Sequence, residues 1–183
     1  MVISIASQKG GTGKTSTSIS LAAGLARKGK KVLLIDIDSQ ANSSKVLLGH
    51  YPEIPKEKTI YSTVLERKPL VVHPTHVPNL SIVPSHILLS NTDIELTTAK
   101  DHREARLKAK LDRIKGDYDY VFIDNPPALG WLTLNAFTAS DQVRSWWRPG
   151  TSSSTAWCSW RRPSRRSGSF SIRSCGSWAT CSR

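Results

Sequence analysis

Cysteine is absent from the first 143 residues of this 183-residue chain, and its three copies, Cys158, Cys175 and Cys181, all follow Val143. Their odd number and irregular spacing match neither a disulfide framework nor a metal site, so we expect free thiols in a reducing cytoplasm. Long hydrophobic runs are also missing, because the apolar runs have the length of strands. We therefore expect no membrane-spanning helix and no secretory signal, and the length predicts one domain.

Acidic residues are missing from the last 40 residues, although the whole chain has 14 of them. Those 40 residues contain eight Arg, twelve Ser and five of the six Trp. The formal net charge of +12 is typical of a nucleic-acid-binding protein, but much of it lies in this tail. Residues 1–143 have 18 basic and 14 acidic residues, a net charge of +4, so this part is only mildly basic.

Short apolar segments alternate with helical stretches along residues 1–143. Strands are predicted at residues 2–6, 31–35, 80–83 and 118–123. Helices are predicted at about residues 14–28, 59–67, 100–115 and 132–139, and glycines at positions 29 and 116 end two of them. A strand, a helix and a strand at this spacing form a unit with parallel strands. We therefore expect an α/β fold with a mostly parallel sheet flanked by helices.

A glycine-rich loop follows the first predicted strand and opens the first predicted helix. It reads Lys9-Gly10-Gly11-Thr12-Gly13-Lys14-Thr15, with Ser16 next. Glycines let backbone N–H groups approach a phosphate chain, while the helix N-terminus and Lys14 supply positive charge. The hydroxyl of Thr15 can ligate Mg²⁺. The alternative is a glycine-rich turn with an incidental lysine, and the strand–loop–helix context favours the phosphate site.

Carboxylates follow two of the predicted strands. Asp36 and Asp38 come at the end of the second strand, and Asp124 ends the strand at residues 118–123. Ordinary capping of strand ends would also explain them. Because they lie at the carboxyl ends of strands beside a phosphate loop, we favour a functional role.

The loop departs from the strict pattern G-x-x-x-x-G-K-[ST], because Gln8 stands at the first glycine position. It resembles the deviant Walker A loop, K-G-G-x-G-K-[ST], of the ParA/MinD/nitrogenase-iron-protein group. Residues 35–40 resemble the D-x-D-P-Q segment of that family, with Ser39 in place of proline, and residues 119–127 resemble its Walker B strand. Residues 132–136 and 139–141 continue the match. The resemblance implies a P-loop NTPase fold, incomplete on its C-terminal side, with ATP and Mg²⁺ as cofactors.

The resemblance also implies roles for single residues. Lys14 would contact the β- and γ-phosphates, and Lys9 would reach the nucleotide of the other subunit, in place of an arginine finger. Asp38 matches the residue that positions the attacking water, and Asp124 matches the carboxylate that holds Mg²⁺, usually through water. Asp36 would assist near the metal. The implied catalytic residues are Lys9, Lys14 and Asp38; the implied metal site is Thr15, Asp36, Asp38 and Asp124; the implied nucleotide site is residues 9–16.

Features that the sequence lacks exclude some branches of this family. Residues 1–143 have no cysteines for an iron–sulfur cluster, and no basic amphipathic membrane helix is visible at the C-terminus. The chain most resembles the short ParA/Soj type, since a strand begins at Val2 without a preceding helix-turn-helix. This implies a cytoplasmic, nucleoid-associated ATPase of plasmid or chromosome partitioning, without membrane binding. It would form an ATP-dependent homodimer, bind DNA non-specifically and respond to a ParB-type partner. A MinD-like regulator of cell-division placement and a non-catalytic nucleotide-binding module remain alternatives.

The sequence changes abruptly after Val143, where the family continues with an apolar strand and an amphipathic helix. A shift of the reading frame can be tested with the genetic code. Each shifted codon consists of the last base of one residue's codon and the first two bases of the next residue's codon. Trp and Cys codons begin with TG, so every pair ending in Trp or Cys becomes NTG, which encodes Leu, Val or Met. All eight Trp and Cys of the tail then become apolar. Residues 155–181 can be read as GLVQLxETIxKVRELxNPxLRILGYLL, a helix, a turn and a strand.

We therefore expect a frameshift after Val143, with residues 1–143 as the N-terminal part of the ATPase domain. Residues 144–183 would be a disordered tail. The alternative is a genuine Arg/Trp tail that binds nucleic acid or anionic lipid. Loss of the later strands and helices would leave an unpaired sheet edge, so poor solubility, weak ATP binding and little hydrolysis are expected.

Overall fold

The structure, a computed structural model, describes residues 1–7, 10–49, 54–99, 101–147, 156–161 and 173–174, with side chains to residue 145 except that of Asp93. The strands are β1 (Val2–Ala6), β2 (Val32–Asp36), β3 (His73–Pro74), β4 (Leu80–Val83), β5 (Tyr120–Asp124), β6 (Gln142–Trp147), β7 (Ala156–Arg161) and β8 (Arg173–Ser174). The helices are α1 (Lys14–Arg27), α2 (Asn42–Leu48), α3 (Ile60–Val64), α4 (Thr92–Thr98), α5 (Arg106–Leu111) and α6 (Trp131–Ala139).

The strands form one sheet in the order β3-β4-β2-β5-β1-β6-β7-β8. The five strands from β4 to β6 are parallel, whereas β3, β7 and β8 pair antiparallel with their neighbours. Because β1, β2 and β5 are parallel neighbours, their carboxyl ends meet at one edge of the sheet. The predicted α/β fold with a mostly parallel sheet and flanking helices is confirmed.

Both faces of the central sheet are buried. Alternate residues of β2 point to opposite sides: Leu33 and Ile35 join a core with α3 to α6, while Leu34 joins a core with α1 and α2. The same alternation holds for β5, which explains why these strands read as continuous apolar runs. Fully burying one such side chain contributes about 1.5–3 kcal/mol. Across the parts of the chain that the structure describes, none of the helices combines the length and apolar character needed to cross a membrane.

Helix α1 lies close to the sheet because its inner face carries small residues. Ala22 and Ala26 are fully buried there. The helix ends at Arg27, one residue earlier than predicted, and Gly29 then adopts the left-handed region at φ 78° and donates its N–H to the Ala26 carbonyl. Glycine adopts this conformation without the steric cost of a β-carbon. The predicted role of Gly29 as the glycine that ends the helix is confirmed.

Helix α5 is much shorter than the helix predicted over residues 100–115. It covers only Arg106–Leu111, with Leu107 and Leu111 buried as expected. The preceding residues turn instead, with His102 at φ 26°, because Arg103 donates to the last carbonyls of α4, including that of Thr97 at 2.6 Å. These bonds satisfy carbonyls that the end of α4 leaves without helical partners.

The chain continues past Val143 as a strand. β6 pairs with β1 in parallel, with Val143 opposite Ser4, and β7 pairs antiparallel with β6. The sequence predicted a disordered tail after Val143. The structure instead places residues 144–147, 156–161 and 173–174 in strands. Without β6, the edge of β1 would present unpaired N–H and carbonyl groups, which backbone groups of a non-proline segment can satisfy. Other tail residues lie outside the described residues, and their disorder stays a prediction.

Asn135 of α6 should be the polar side chain on which the packing of α5 depends. It is 1% exposed; its Oδ1 accepts from the N–H of Leu107 (3.1 Å), and its Nδ2 donates to the carbonyl of Arg103 (2.7 Å). We expect Asn135→Ala to lower the free energy of unfolding in urea by about 2 kcal/mol, because the buried N–H of Leu107 and the half-buried carbonyl of Arg103 both lose a partner. Asn91→Ala is the control, since exposed Asn91 makes no side-chain cap, and it should change stability by less than about 0.5 kcal/mol. Equal effects of the two substitutions would refute this role.

Candidate functional site

The glycine-rich loop ends where α1 begins. Gly11 and Gly13 lie at φ 70° and φ 82°, and Gly13 is the residue that precedes the helix. Among the described residues, nothing would contact an added β-carbon at either glycine, so the backbone conformation, rather than space, requires them. Lys14 is the first helical residue and is 7% exposed. The predicted loop-to-helix geometry of a phosphate site is therefore present at these residues.

The other predicted loop residues are distributed around this turn. Gly10 and Ser16 are exposed, and Thr12 and Thr15 are half-buried. Lys9 lies outside the described residues, as does Gln8, so the nucleotide-binding and catalytic roles of Lys9 stay predictions.

Two buried carboxylates lie side by side at the carboxyl edge of the sheet. Asp36 ends β2, Asp124 ends β5, and the two residues are register partners. They are 0% and 1% exposed. Two negative charges in such a place repel each other and lose hydration, so each needs donors or a cation.

Asp36 accepts hydrogen bonds from two neighbouring segments. Its Oδ2 accepts from the backbone N–H (2.9 Å) and the hydroxyl (2.8 Å) of Ser44 on α2. Its Oδ1 accepts from the N–H of Asp38 (3.1 Å). The carboxylate therefore fixes the segment that leads from β2 into α2.

Asp124 is bound by hydroxyls from both helices on one face of the sheet. Ser43 of α2 donates to its Oδ2 at 2.6 Å, and the Ser18 hydroxyl of α1 lies 3.2 Å from its Oδ1. The Thr15 side chain also hydrogen-bonds to this carboxylate. Asp124 thus connects the start of α1, which carries Lys14, with the start of α2.

The surroundings raise the pKa values of both carboxyl groups. Burial is the largest cause for Asp36 and the charge of Asp124 the next, and together they raise the pKa of Asp36 to about 7 despite the hydrogen bonds from Ser44 and Asp38. Burial also raises the pKa of Asp124, while the hydroxyls of Ser43, Thr15 and Ser18 act in the opposite direction. Groups with raised pKa values in such a cluster are typical of functional sites.

Asp38 begins a tight turn at the same edge. Its Oδ1 accepts from the N–H of Gln40 at 3.0 Å, and its carbonyl accepts from the N–H of Ala41 at 2.9 Å and from the hydroxyl of Ser85. Ala41, the buried residue that precedes α2, lies in the left-handed region at φ 54°. That conformation costs a non-glycine residue about 1–2 kcal/mol. Hydrogen bonds on both sides of Ala41 therefore hold this segment in a strained shape.

The donor set fits a magnesium ion that arrives with phosphates. Mg²⁺ prefers hard oxygen ligands and usually takes one or two carboxylates together with substrate phosphates and water. Thr15, Asp36 and Asp124 supply such oxygens, and a cation would also reduce the repulsion between the two carboxylates. Within the described ranges, no three His, Cys, Asp or Glu side chains form a metal cluster. In the described part of the chain, the carboxylates would therefore need phosphate and water ligands to complete the coordination of the ion.

The hydroxyls that surround the carboxylates, those of Ser18, Ser43 and Ser44, were not predicted from the sequence, and neither was the amide of Asn125, which follows Asp124. Ser18 could have been found, because it follows Lys14 by one helical turn. Ser43 and Ser44 had no such signal, since no helix was predicted after Gln40. The amide nitrogen of Asn125 donates to the Ser4 hydroxyl at 2.7 Å, and its Oδ1 has no hydrogen-bond partner among the described residues.

The raised pKa of Asp36 predicts a specific dependence of stability on pH. In the unfolded chain this carboxyl group has its ordinary pKa of 3.8, whereas in the folded chain its pKa is about 7. Without Mg²⁺, this group should therefore lower the free energy of unfolding as the pH rises from about 4 through 7, by at most about 1.4 kcal/mol per pH unit, and the loss should level off about one pH unit above the folded-state pKa. Urea unfolding of the wild type and Asp36→Asn at each pH would isolate this contribution.

Asp112→Asn is the control for that experiment. Asp112 pairs with Lys108 and Lys115, which outweigh its partial burial and keep its pKa below the usual range. It is therefore ionised throughout pH 5 to 8, and its contribution to the free energy of unfolding is constant there. If the difference in free energy of unfolding between the wild type and Asp36→Asn were also constant between pH 5 and 8, the raised pKa of Asp36 would be wrong.

Comparison with known proteins agrees with this geometry. Residues 1–144 match the family model described as AAA domain. The sporulation initiation inhibitor protein Soj of Bacillus subtilis (strain 168) is 44% identical over 144 residues, which cover 78% of this chain and 56% of Soj. The chromosome partitioning protein ParA of Myxococcus xanthus (strain DK1622) is 42% identical over 144 residues, 78% of this chain and 50% of that protein.

A solved structure shares the same architecture. Cobyrinic acid a,c-diamide synthase from Mycobacterium smegmatis, crystallised with bound ADP and magnesium, has a TM-score of 0.70 and 34% sequence identity, covering 79% of this chain and 58% of that one. The chain spans about half the length of the curated relatives it matches. The loop that opens α1 and the carboxylates that end β2 and β5 agree with the family match over residues 1–144. The chain belongs to the AAA domain family, as a P-loop protein of the ParA/Soj type.

Proposed function

We propose that this chain binds ATP with Mg²⁺ at residues 9–16 and belongs to a system that partitions plasmids or chromosomes. The observation that carries the proposal is the placement of Asp124 beside the first turn of α1. There its carboxylate is hydrogen-bonded to Thr15, the residue directly after buried Lys14. A P-loop site needs three groups: a lysine that binds phosphate, a hydroxyl that binds the metal, and a carboxylate beside the metal.

Each residue has a distinct part in the proposed site. Backbone N–H groups of Gly11 and Gly13 bind the phosphates, and Lys14 neutralises them at the β- and γ-positions. Thr15 and Asp124 would hold the magnesium ion, with Asp36 and Asp38 beside it, and the ion would neutralise charge on the phosphate oxygens when it is bound.

Hydrolysis additionally needs an oriented water and a second positive charge. Asp38 is proposed to position the water, because its carboxylate lies at the same sheet edge and is only half-buried. Lys9 is proposed to act on the nucleotide of a second subunit, so that turnover requires an ATP-dependent homodimer.

The proposed partners are those of a ParA-type protein. A ParA-type cycle couples ATP binding to non-specific DNA binding and couples hydrolysis to a ParB-type protein. The relatives that support this role carry the names ParA and Soj. We propose that the chain acts in the cytoplasm on nucleoid DNA, and that it lacks part of this cycle because the match ends at residue 144.

Replacement of Lys14 tests the nucleotide site. We expect Lys14→Ala to weaken binding of a fluorescent ATP analogue in the presence of Mg²⁺ at least about tenfold, a loss of about 1.4 kcal/mol, because the phosphates lose their cation. Lys28→Ala is the matched control, since Lys28 is exposed at the far end of α1 and should leave affinity unchanged. Equal affinity of the wild type and Lys14→Ala would exclude the proposed site.

Activity assays separate an enzyme from a non-catalytic module. We expect the 183-residue chain to hydrolyse ATP slowly, and neither DNA nor a ParB-type protein should raise its rate to that of a full-length ParA. If DNA and the ParB-type protein stimulated it as strongly as they stimulate a full-length ParA, the proposed impairment would be wrong.

The nucleotide sequence after codon 143 tests the proposed frameshift. We expect the alternative frame to be open and to encode an apolar strand and an amphipathic helix, because all eight Trp and Cys of the tail become apolar residues in it. Stop codons in that frame would show that the Arg/Trp tail is the gene's own product.

A further inference from the structure

The hydroxyl of Ser43 makes a short hydrogen bond to Asp124. Its Oγ lies 2.6 Å from Oδ2, within the range of 2.5–2.7 Å typical of a hydroxyl that donates to an ionised carboxylate. Ser43 is fully buried, so water does not compete for this bond. The bond therefore fixes the direction in which one carboxylate oxygen points.

Ser18 cannot replace this donor. Its single hydroxyl hydrogen has two acceptors, the carbonyl of Lys14 at 3.0 Å and Oδ1 of Asp124 at 3.2 Å. A hydroxyl donates only one hydrogen, and 3.2 Å is longer than an ordinary O–H···O bond. The carbonyl of Lys14 competes for the single hydrogen of Ser18, so Ser43 is the closer donor of the two to Asp124.

Ser43 is itself held by a rigid neighbourhood. The adjacent Ser44 binds Asp36 through both its N–H and its hydroxyl, and its oxygen accepts from the N–H of Ser85 at 3.0 Å. Two consecutive residues of α2 thus bind the carboxylates of two neighbouring strands. A donor supported in this way orients a metal ligand more precisely than one on a free loop.

We propose that Ser43 is a positioning residue for the magnesium ion of the bound nucleotide, acting by fixing the orientation of the Asp124 carboxylate. This inference rests on the proposed function of the phosphate loop. It makes the first turn of α2, which follows Asp38 and Gln40, part of the metal site although its own atoms do not contact the ion.

Metal affinity, measured apart from turnover, tests this role. The probe is Mn²⁺, whose free concentration is read by electron paramagnetic resonance in the presence of the full chain and ADP. We expect Ser43→Ala to weaken Mn²⁺ binding about tenfold, as loss of a residue that orients a metal ligand does. The affinity for ADP in EDTA should stay within about twofold of the wild type, because Ser43 does not contact the nucleotide.

Two further comparisons keep the result interpretable. Ser62→Ala is the matched control: Ser62 is equally buried, but its hydroxyl binds the carbonyls of Glu57 and Thr59, so Mn²⁺ affinity should not change. If Ser43→Ala does not fold, Ser43→Thr and Ser43→Val replace it, since they differ only in a hydroxyl and a methyl group. Threonine should retain Mn²⁺ affinity within about twofold, and valine should lose it about tenfold.

The outcomes separate this inference from the proposed function. If the wild type binds ADP and Mn²⁺ while Ser43→Ala binds Mn²⁺ equally well, the role of Ser43 is refuted and the nucleotide site stands. If Ser62→Ala weakens Mn²⁺ binding as much as Ser43→Ala, the effect is general destabilisation and the role of Ser43 is again refuted. If the wild type binds no nucleotide, both proposals fall.

Discussion

The placement of two carboxylates side by side in a buried sheet edge is the constraint on which the rest of the site depends. Asp36 and Asp124 are there because β2 and β5 are parallel neighbours that end at the same level. Their charges cannot remain buried without compensation, so hydroxyls of α1 and α2 surround them. The pKa of Asp36 remains raised, at about 7, because these donors offset only part of the effects of burial and of the charge of Asp124. A divalent cation beside the two carboxylates would reduce their repulsion further.

Fold and site are coupled through the starts of two helices. Helix α1 carries Lys14 and Thr15 at its first turn, and the same turn is hydrogen-bonded to Asp124. Helix α2 begins after the strained Ala41 and is fixed to both carboxylates through Ser43 and Ser44. Hydrogen bonds therefore connect the first turn of α1 with the segment after β2.

Much of this arrangement follows from local sequence patterns. Apolar runs predicted β1, β2, β4 and β5 to within a few residues, and the loop after β1 predicted the start of α1, because strand-length runs and glycines act locally. Helix α2 was missed, since its apolar face is short and serines usually disfavour helix interiors. The length of α5 was overestimated because the bonds of Arg103 to the end of α4 are tertiary. The pairing of β6 with β1 is likewise a tertiary contact, between residues 142–145 and the first strand of the chain.

The central claim is that the loop before α1, the segment after β2 and the end of β5 form one nucleotide site. Hydrogen–deuterium exchange of the full chain with and without ADP and Mg²⁺ tests it most directly, because it reports each segment separately. Slower exchange is predicted at residues 10–18, 36–44 and 124–125 together when both ligands are present. Protection confined to one of these segments, or found only elsewhere in the chain, would contradict the claim.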